Sequence, residues 1–447
     1  MSRRTISLAR RLWWPLCAIA ALIVLRGCAY SLVNGDRINS KEAAKIEVGI
    51  QDVRQLRFTH PVPLVVKTPD EAEAMMEADM MRDYTDDQIK ADAVAGEMVG
   101  LYPAGIDLKA ASLKLLKSQV AGFYDPHGKE MVLVEGGADL GFWTSATEFM
   151  VQRDVVGEML LAHELTHALQ DQNFDLGTTL DKEKDDDDRA LALKTVAEGD
   201  ATLAGFAYAV GRMDDSTVDA LADNLKQLPS ALAAEAPDTP EGLSAPLLCQ
   251  YSEGVRFVGE AYRRGGWQAV DAMYRNPPQS SHEILHPALY FGSSPAAPQP
   301  RIKLAGYDRI MSGWRKADAD TYGELMLRVI LERNLGKKSK EVELASHWAA
   351  DQMIILQENQ NVAVIWMIAF SDVQTAERFA IIYQALLAHL SSGSTPDRIG
   401  VHSNNVLIVI GQPANYFDAL APAIWSASTI GPSVTNRAEP SVASDAR

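Results

Sequence analysis

The sequence predicts an α+β protein: a mainly helical part with a small β-hairpin or sheet, followed by a C-terminal ββαββα unit. Three observations carry that prediction. Apolar residues recur at three-to-four spacing through KTPDEAEAMMEADMMRDY and TDDQIKADAVAGEMVGL, each with an acidic start, which is the pattern of amphipathic helices. The period drops to two in QVAGFYDPHGKEMVLVEGG, where two apolar runs flank the turn composition Asp125-Pro126-His127-Gly128 of a hairpin. Near the C-terminus, MIILQENQNVAVIWMIAF, VQTAERFAIIYQALLAHL, RIGVHSNNVLIVIG and NYFDALAPAIWSAS read as hairpin, helix, hairpin around Ser403 to Asn405, and helix.

Taken in order, the chain opens with Arg3, Arg4, Arg10 and Arg11 ahead of the apolar run LWWPLCAIAALIVL, the layout of an export signal. The run is shorter than the roughly 20 residues of a spanning helix. It leads into LRGC, Leu25 to Cys28, which resembles the bacterial lipoprotein box except at Arg26. Residues 1–28 are therefore expected to be a lipoprotein-type signal, with a lipid on Cys28, or an uncleaved signal anchor. Both place the protein outside the cytoplasm, membrane-tethered in the periplasm or cell envelope.

Residues 29–65 read as a tether ending in the extended HPVPLVV, residues 66–350 as the mainly helical domain, 351–430 as the small α+β domain and 431–447 as a disordered tail. ASLKLLKSQ is a third short helix. From Ser145, with Glu148 completing a capping box, a helix is expected to run through Gln172. The acidic run DKEKDDDDR, Asp181 to Arg189, reads as a solvated loop because it lacks the spaced ligands and glycine of an EF-hand. It precedes another helix, LALKTVAEGDATLAGFAYAVG.

With 447 residues and 47% hydrophobic, the chain has the composition of a globular protein large enough for more than one domain. The formal charge of -17 leaves no basic field for phosphates and argues against nucleic acid as a partner. Of three cysteines, Cys17 and Cys28 lie in the N-terminal segment, which leaves Cys249 without a partner if Cys28 carries lipid.

The motif that carries chemistry is His163-Glu164-Leu165-Thr166-His167, within HELTHALQDQNFDL. Residues four apart share a helix face, so His163 and His167 can offer two imidazole nitrogens to one metal, Zn2+ in the simplest reading. Glu164 lies about 100 degrees round the helix and can act on water as a general base without being a ligand. The expected reaction is hydrolysis of a peptide bond. A catalytic zinc needs a third protein ligand. Asp171, Asp175, the acidic run, Glu198 and Asp200 are candidates, and Glu198 is preferred because VAEGDATLAGF is a small-residue helix in which Gly199 and Ala201 allow close approach.

His163, Glu164, His167 and Glu198 resemble the H-E-x-x-H plus distant glutamate pattern of gluzincin metallopeptidases. QVAGFYDP, HELTHALQDQNFDL, AEGDAT and ILHP, in that order, resemble a poorly characterised family of exported bacterial zinc metallopeptidases, over roughly residues 65 to 365. The resemblance implies a zincin-like fold, zinc ligands His163, His167 and Glu198, and the base Glu164. It supplies no substrate beyond polypeptide. Where thermolysin-like enzymes carry an aspartate four residues after the third ligand, this chain has Thr202, so Asp171, Asp200 and Thr202 all remain candidates to orient an imidazole.

Two further expectations concern substrate. The hairpin around Phe123 and Tyr124 is either an edge for an extended peptide or plain scaffold. His286 or Tyr290, in SSHEILHPALYF, is a candidate oxyanion donor, whereas His282 and His127 read as surface residues. The alternative to an enzyme is a non-enzymatic envelope binding protein with a structural metal site, against which an intact Glu164 argues.

Overall fold

The structure, a computed structural model, describes residues 33–34, 37–119, 122–135, 155–183, 186–225, 228–229, 238–292, 299–390 and 397–432. The arginine-flanked apolar run, Cys28, the helix start expected at Ser145 and residues 433–447 lie outside the described residues. Among those described, no helix is long and apolar enough to cross a membrane. The chain is mixed α+β, as expected, and divides into two compact units that are each discontinuous in sequence.

The first unit comprises Met1–Met76, Gln119–Leu176 and Ala201–Leu221. Its first helix, Ser40–Arg54, corrects the expectation of a tether over 29–65. Asn39 caps it by accepting from the Glu42 N–H, and Ala43, Ile46 and Ile50 form a buried stripe at helical spacing. Burying the two isoleucines stabilises the fold by about 3–6 kcal/mol before entropy. The stripe is only three residues long and set among charges, which hides it in the sequence.

The expected hairpin is Gly122–Asp125 with Glu130–Val134, and Asp125 accepts from the His127 N–H to close the turn. Leu64–Lys67 joins it in parallel, so Glu130–Val134 is the central strand and Gly122–Asp125 an edge. The central position explains why Met131, Val132, Leu133 and Val134 are all apolar and all buried. The helix Val155–Phe174, which carries the histidine motif, packs on Ser40–Arg54 and on the edge strand.

The second unit comprises Glu77–Ser118, Gly177–Asp200 and Ala222–Arg447. At its centre is an antiparallel five-stranded sheet in the order Arg398–His402, Asn405–Ile410, Asn361–Phe370, Trp348–Glu358, Arg315–Asp320. All six strands and helices of the expected ββαββα unit are present in that order, and Arg315–Asp320 adds a fifth strand from before residue 351.

Alternate residues of the inner strands feed two cores. Trp366, Ile368, Phe370, Val406 and Ile408 face Phe379 and Tyr383 of the helix Val373–Leu390 and Leu327 and Ile330 of the helix Gly323–Leu335. Ile365, Met367, Leu407 and Val409 face Leu420 and Ile424 of the helix Phe417–Ala427 on the other side. A strand buried on both faces reads as a continuous apolar run, which is what NVAVIWMIAF is.

One carboxylate sits inside this apolar layer. Asp351 accepts from the indole N–H groups of Trp348 at 2.9 Å and Trp366 at 2.8 Å, and from the backbone N–H groups of Tyr322 and Gly323. Four donors offset the cost of burial and fix the start of the helix Gly323–Leu335.

Two more expectations are corrected. The acidic run is not a solvated loop throughout: Asp186 and Asp188 are 8% and 2% exposed. Asp186 pairs with Arg301 at 2.7 Å and accepts from the Arg189 N–H to cap the helix Asp187–Val210, while Asp188 accepts from the Ser281 N–H. A run of like charges gives no hint that separate partners await each one. At the C-terminus, Gly431 and Pro432 belong to a strand, Thr429–Pro432, that pairs with Pro300–Lys303, so the expected tail does not begin at residue 431.

Candidate metal centre

The helix Val155–Phe174 is anchored by the side opposite its chemistry. Leu161, Leu165 and Leu169 are at most 1% exposed, at the four-residue spacing that makes one buried stripe. His163 and His167 are half-buried on a different face. Their Nε2 atoms lie 3.1 Å apart, and the rings meet edge to face at 84°. Two imidazoles on one tetrahedral zinc, each at about 2.05 Å, place their nitrogens roughly 3.3 Å apart, so the pair is spaced for a shared ion.

The other ring nitrogens have partners of their own. His167 Nδ1 lies 2.9 Å from Gln170 Oε1, which requires an Nδ1–H donor and leaves the Nε2 lone pair for a ligand. His163 Nδ1 lies 3.5 Å from the Thr202 hydroxyl. Of the three residues left open for this role, the structure puts Thr202 beside an imidazole; Gln170 was not among them. Asp171 instead accepts from Lys129 at 2.6 Å and from the Tyr124 hydroxyl at 3.1 Å, and Asp200 accepts from the Tyr274 hydroxyl at 2.7 Å.

Thr202 and Glu198 are carried by the helix Asp187–Val210, which runs unbroken through both. Its contact with the histidine helix is made at Gly205, where a Cβ would stand 2.8 Å from the Met159 carbonyl oxygen and 3.1 Å from the His163 nitrogen. Only a glycine lets the two backbones come this close. Gly199, expected to serve that purpose, instead meets the Gly254 backbone of the helix Glu241–Arg275, where a Cβ would stand 2.3 Å away. One turn before Thr202, Glu198 shares its helix face, and His163, His167 and Glu198 form a group whose ligand atoms lie within 4.8 Å of one another.

Glu164 is outside that group. Its carboxylate accepts from the Tyr124 backbone N–H at 3.0 Å. The edge strand Gly122–Asp125 therefore holds Glu164 in place, and the Tyr124 N–H is engaged there rather than presented to an added strand.

The remaining candidates fall elsewhere. His286, expected as an oxyanion donor, ends the short helix Ser281–Leu285 with Nε2 3.0 and 3.1 Å from the two oxygens of Glu324. His282 is no surface residue: its Nδ1 bonds the same carboxylate, and its side chain is 18% exposed. The Tyr290 hydroxyl donates to the Asn276 carbonyl at 2.7 Å. His127 is half exposed, as expected. His282, His286 and Glu324 form a second group of possible metal ligands. The sequence held a direct signal for it, since His282-Glu283-Ile284-Leu285-His286 is itself an H-E-x-x-H.

The second unit also holds a pocket of about 370 Å³ lined by Asp92, Asp187, Asp318, Asp320, Tyr102 and Tyr322, among others. Burial, with Asp318 and Asp187 adding repulsion, pushes the Asp92 carboxyl up to about 8. The sequence gives no sign of it, because its acids come from three distant segments.

Residues 309–420, a stretch dominated by the five-stranded sheet, match a family described as a domain of unknown function (DUF8575). No curated protein matches the chain. A crystal structure described as "a putative hydrolase with a novel fold", from Chloroflexus aurantiacus, is 19% identical with a TM-score of 0.36, over 60% of this chain and 95% of that one.

Proposed function

We propose that the protein is a zinc-dependent metallopeptidase in which His163, His167 and Glu198 hold the ion and Glu164 is the general base. One observation supports this above the others: two Nε2 atoms converge at 3.1 Å while Gln170 and Thr202 stand at the Nδ1 positions behind them. Two imidazoles and a carboxylate are a donor set that suits zinc, and three protein ligands leave a position for water or substrate. When bound there, zinc supplies a Lewis acid that lowers the pKa of water to about 7.

The rest is done by the chain. Thr202 and Gln170 fix ring orientation, and the Tyr124 N–H fixes the Glu164 carboxylate, which takes a proton from the attacking water and passes it to the leaving amine. Polypeptide is the substrate class that this chemistry serves. The N-terminal arginine-flanked run, with Cys28 as a lipid site or as part of a signal anchor, supports an activity at the membrane in the cell envelope.

The test is cleavage of an unfolded protein by the detergent-solubilised chain before and after chelation. Activity should vanish with the metal and return with added zinc. Cleavage that persists in the demetallated chain overturns the proposal, as does a zinc-loaded chain that cleaves no unfolded protein.

A further inference from the structure

In both H-E-x-x-H sequences the two histidines converge, through Nε2 of His163 and His167 in the first and through Nδ1 of His282 and Nε2 of His286 in the second, but the glutamates differ. In the second, Glu283 is 2% exposed and its carboxylate accepts from the Gln279 N–H at 2.8 Å, while the Ser280 hydroxyl accepts from the Glu283 N–H. These bonds close the start of the helix Ser281–Leu285 and commit the Glu283 carboxylate to the backbone ahead of it. Glu164 has no such role. The carboxylate that meets His282 and His286 comes instead from another helix, as Glu324, which is 1% exposed.

We propose that His282, His286 and Glu324 hold a second divalent transition-metal ion, in a non-catalytic centre that clamps the segment Ser280–His286 to the helix Gly323–Leu335. Its residues all belong to the second unit, and the inference does not depend on the metallopeptidase reading. A buried carboxylate needs partners that satisfy its oxygens, and the side chains that converge on Glu324 are two imidazoles, through His282 Nδ1 and His286 Nε2. A divalent ion satisfies both imidazole lone pairs and the carboxylate at once. Two nitrogens and one oxygen favour zinc-class ions over calcium or magnesium, which take oxygen ligands.

The frame around the three residues is fixed before any ion arrives. The Ser281 hydroxyl accepts from the Leu325 N–H at 3.1 Å, tying the two elements directly, and Asp188 accepts from the Ser281 N–H. Asp351 holds the first residues of the helix that presents Glu324. Preorganisation of this kind is what a ligand set needs if binding energy is to go into the clamp.

The experiment counts zinc bound per full-length chain after equilibrium dialysis against zinc alone. The parent should bind two, and His286→Ala, Glu324→Gln and His167→Ala one each, with none in His167→Ala/His286→Ala. His286 is 40% exposed, so its variant should fold even if Glu324→Gln does not. In the His167→Ala background, added zinc should still raise the melting temperature, and it should no longer do so once His286 is also replaced. One zinc in the parent, lost in His167→Ala and retained in His286→Ala and Glu324→Gln, overturns the second centre and leaves the first standing. A count unchanged by His167→Ala but lowered by His286→Ala does the reverse.

Discussion

Gly205 sets the distance between the two helices that bear the proposed zinc ligands, so Gly205→Ala should loosen the candidate centre without removing a ligand. The added Cβ would lie 2.8 Å from the Met159 carbonyl oxygen and 3.1 and 3.3 Å from the nitrogen and Cα of His163. All three are backbone atoms of the histidine helix, so no side chain can rotate away. Relief requires the helices to part by roughly 0.5 Å, and overpacking of this kind costs about 1–3 kcal/mol. A zinc site tolerates about 0.2 Å in ligand distance, so the same movement should weaken zinc at least tenfold. Denaturant unfolding of the metal-free chain reads the first quantity, and chelator competition in a His286→Ala background reads the second. A Gly205→Ala chain with parental midpoint and parental zinc affinity would refute the claim that this contact positions His163.

Other outcomes follow from the same geometry. Glu198→Ala should lower bound zinc by one per chain, measured after dialysis, and a full complement would remove Glu198 from the ligand set. Asp186→Ala should destabilise by about 1–3 kcal/mol with zinc content unchanged, because it removes a helix cap and one side of a pair with the partly exposed Arg301; a denaturation midpoint equal to the parent's counts against the buried role. For Asp92, the folded chain retains the proton up to about 8 whereas the unfolded chain ionises near 4. Its contribution to stability therefore falls as pH rises from about 4 to about 8 and levels off above that. Asp92→Asn should be relatively more stable at pH 8 than at pH 5, and a melting-temperature difference that does not change with pH contradicts the burial.

Local period and turn chemistry made much of the fold legible. Thr85 and Gln88 form a full capping box at the start of Asp86–Met98, and both hairpins turn where Asp125-Pro126-His127-Gly128 and Ser403-Asn404-Asn405 indicate. What escaped depends on distant partners. RKADAD becomes a strand because Ala317 and Ala319 are buried between charged neighbours, and nothing within those six residues announces a sheet. The parallel pairing of Leu64–Lys67 with Glu130–Val134 joins segments more than 60 residues apart by backbone bonds that leave no trace in side-chain type. At the candidate centre, His163 and His167 converge as their four-residue spacing suggests, and Gln170 meets His167 from one turn on in the same helix, whereas Gly205 matters only through the particular way the two helices cross.

In the proposed reaction Glu164 acts on water while zinc is held by other residues. Cleavage of an unfolded protein and bound zinc, measured on the same samples of parent and Glu164→Gln, tests that directly. The variant should retain the parental zinc content and lose at least two orders of magnitude in rate, about 2.7 kcal/mol of barrier. A Glu164→Gln chain that cleaves at near the parental rate, or that loses its activity only because it has lost its zinc, would contradict the assignment of Glu164 as the base.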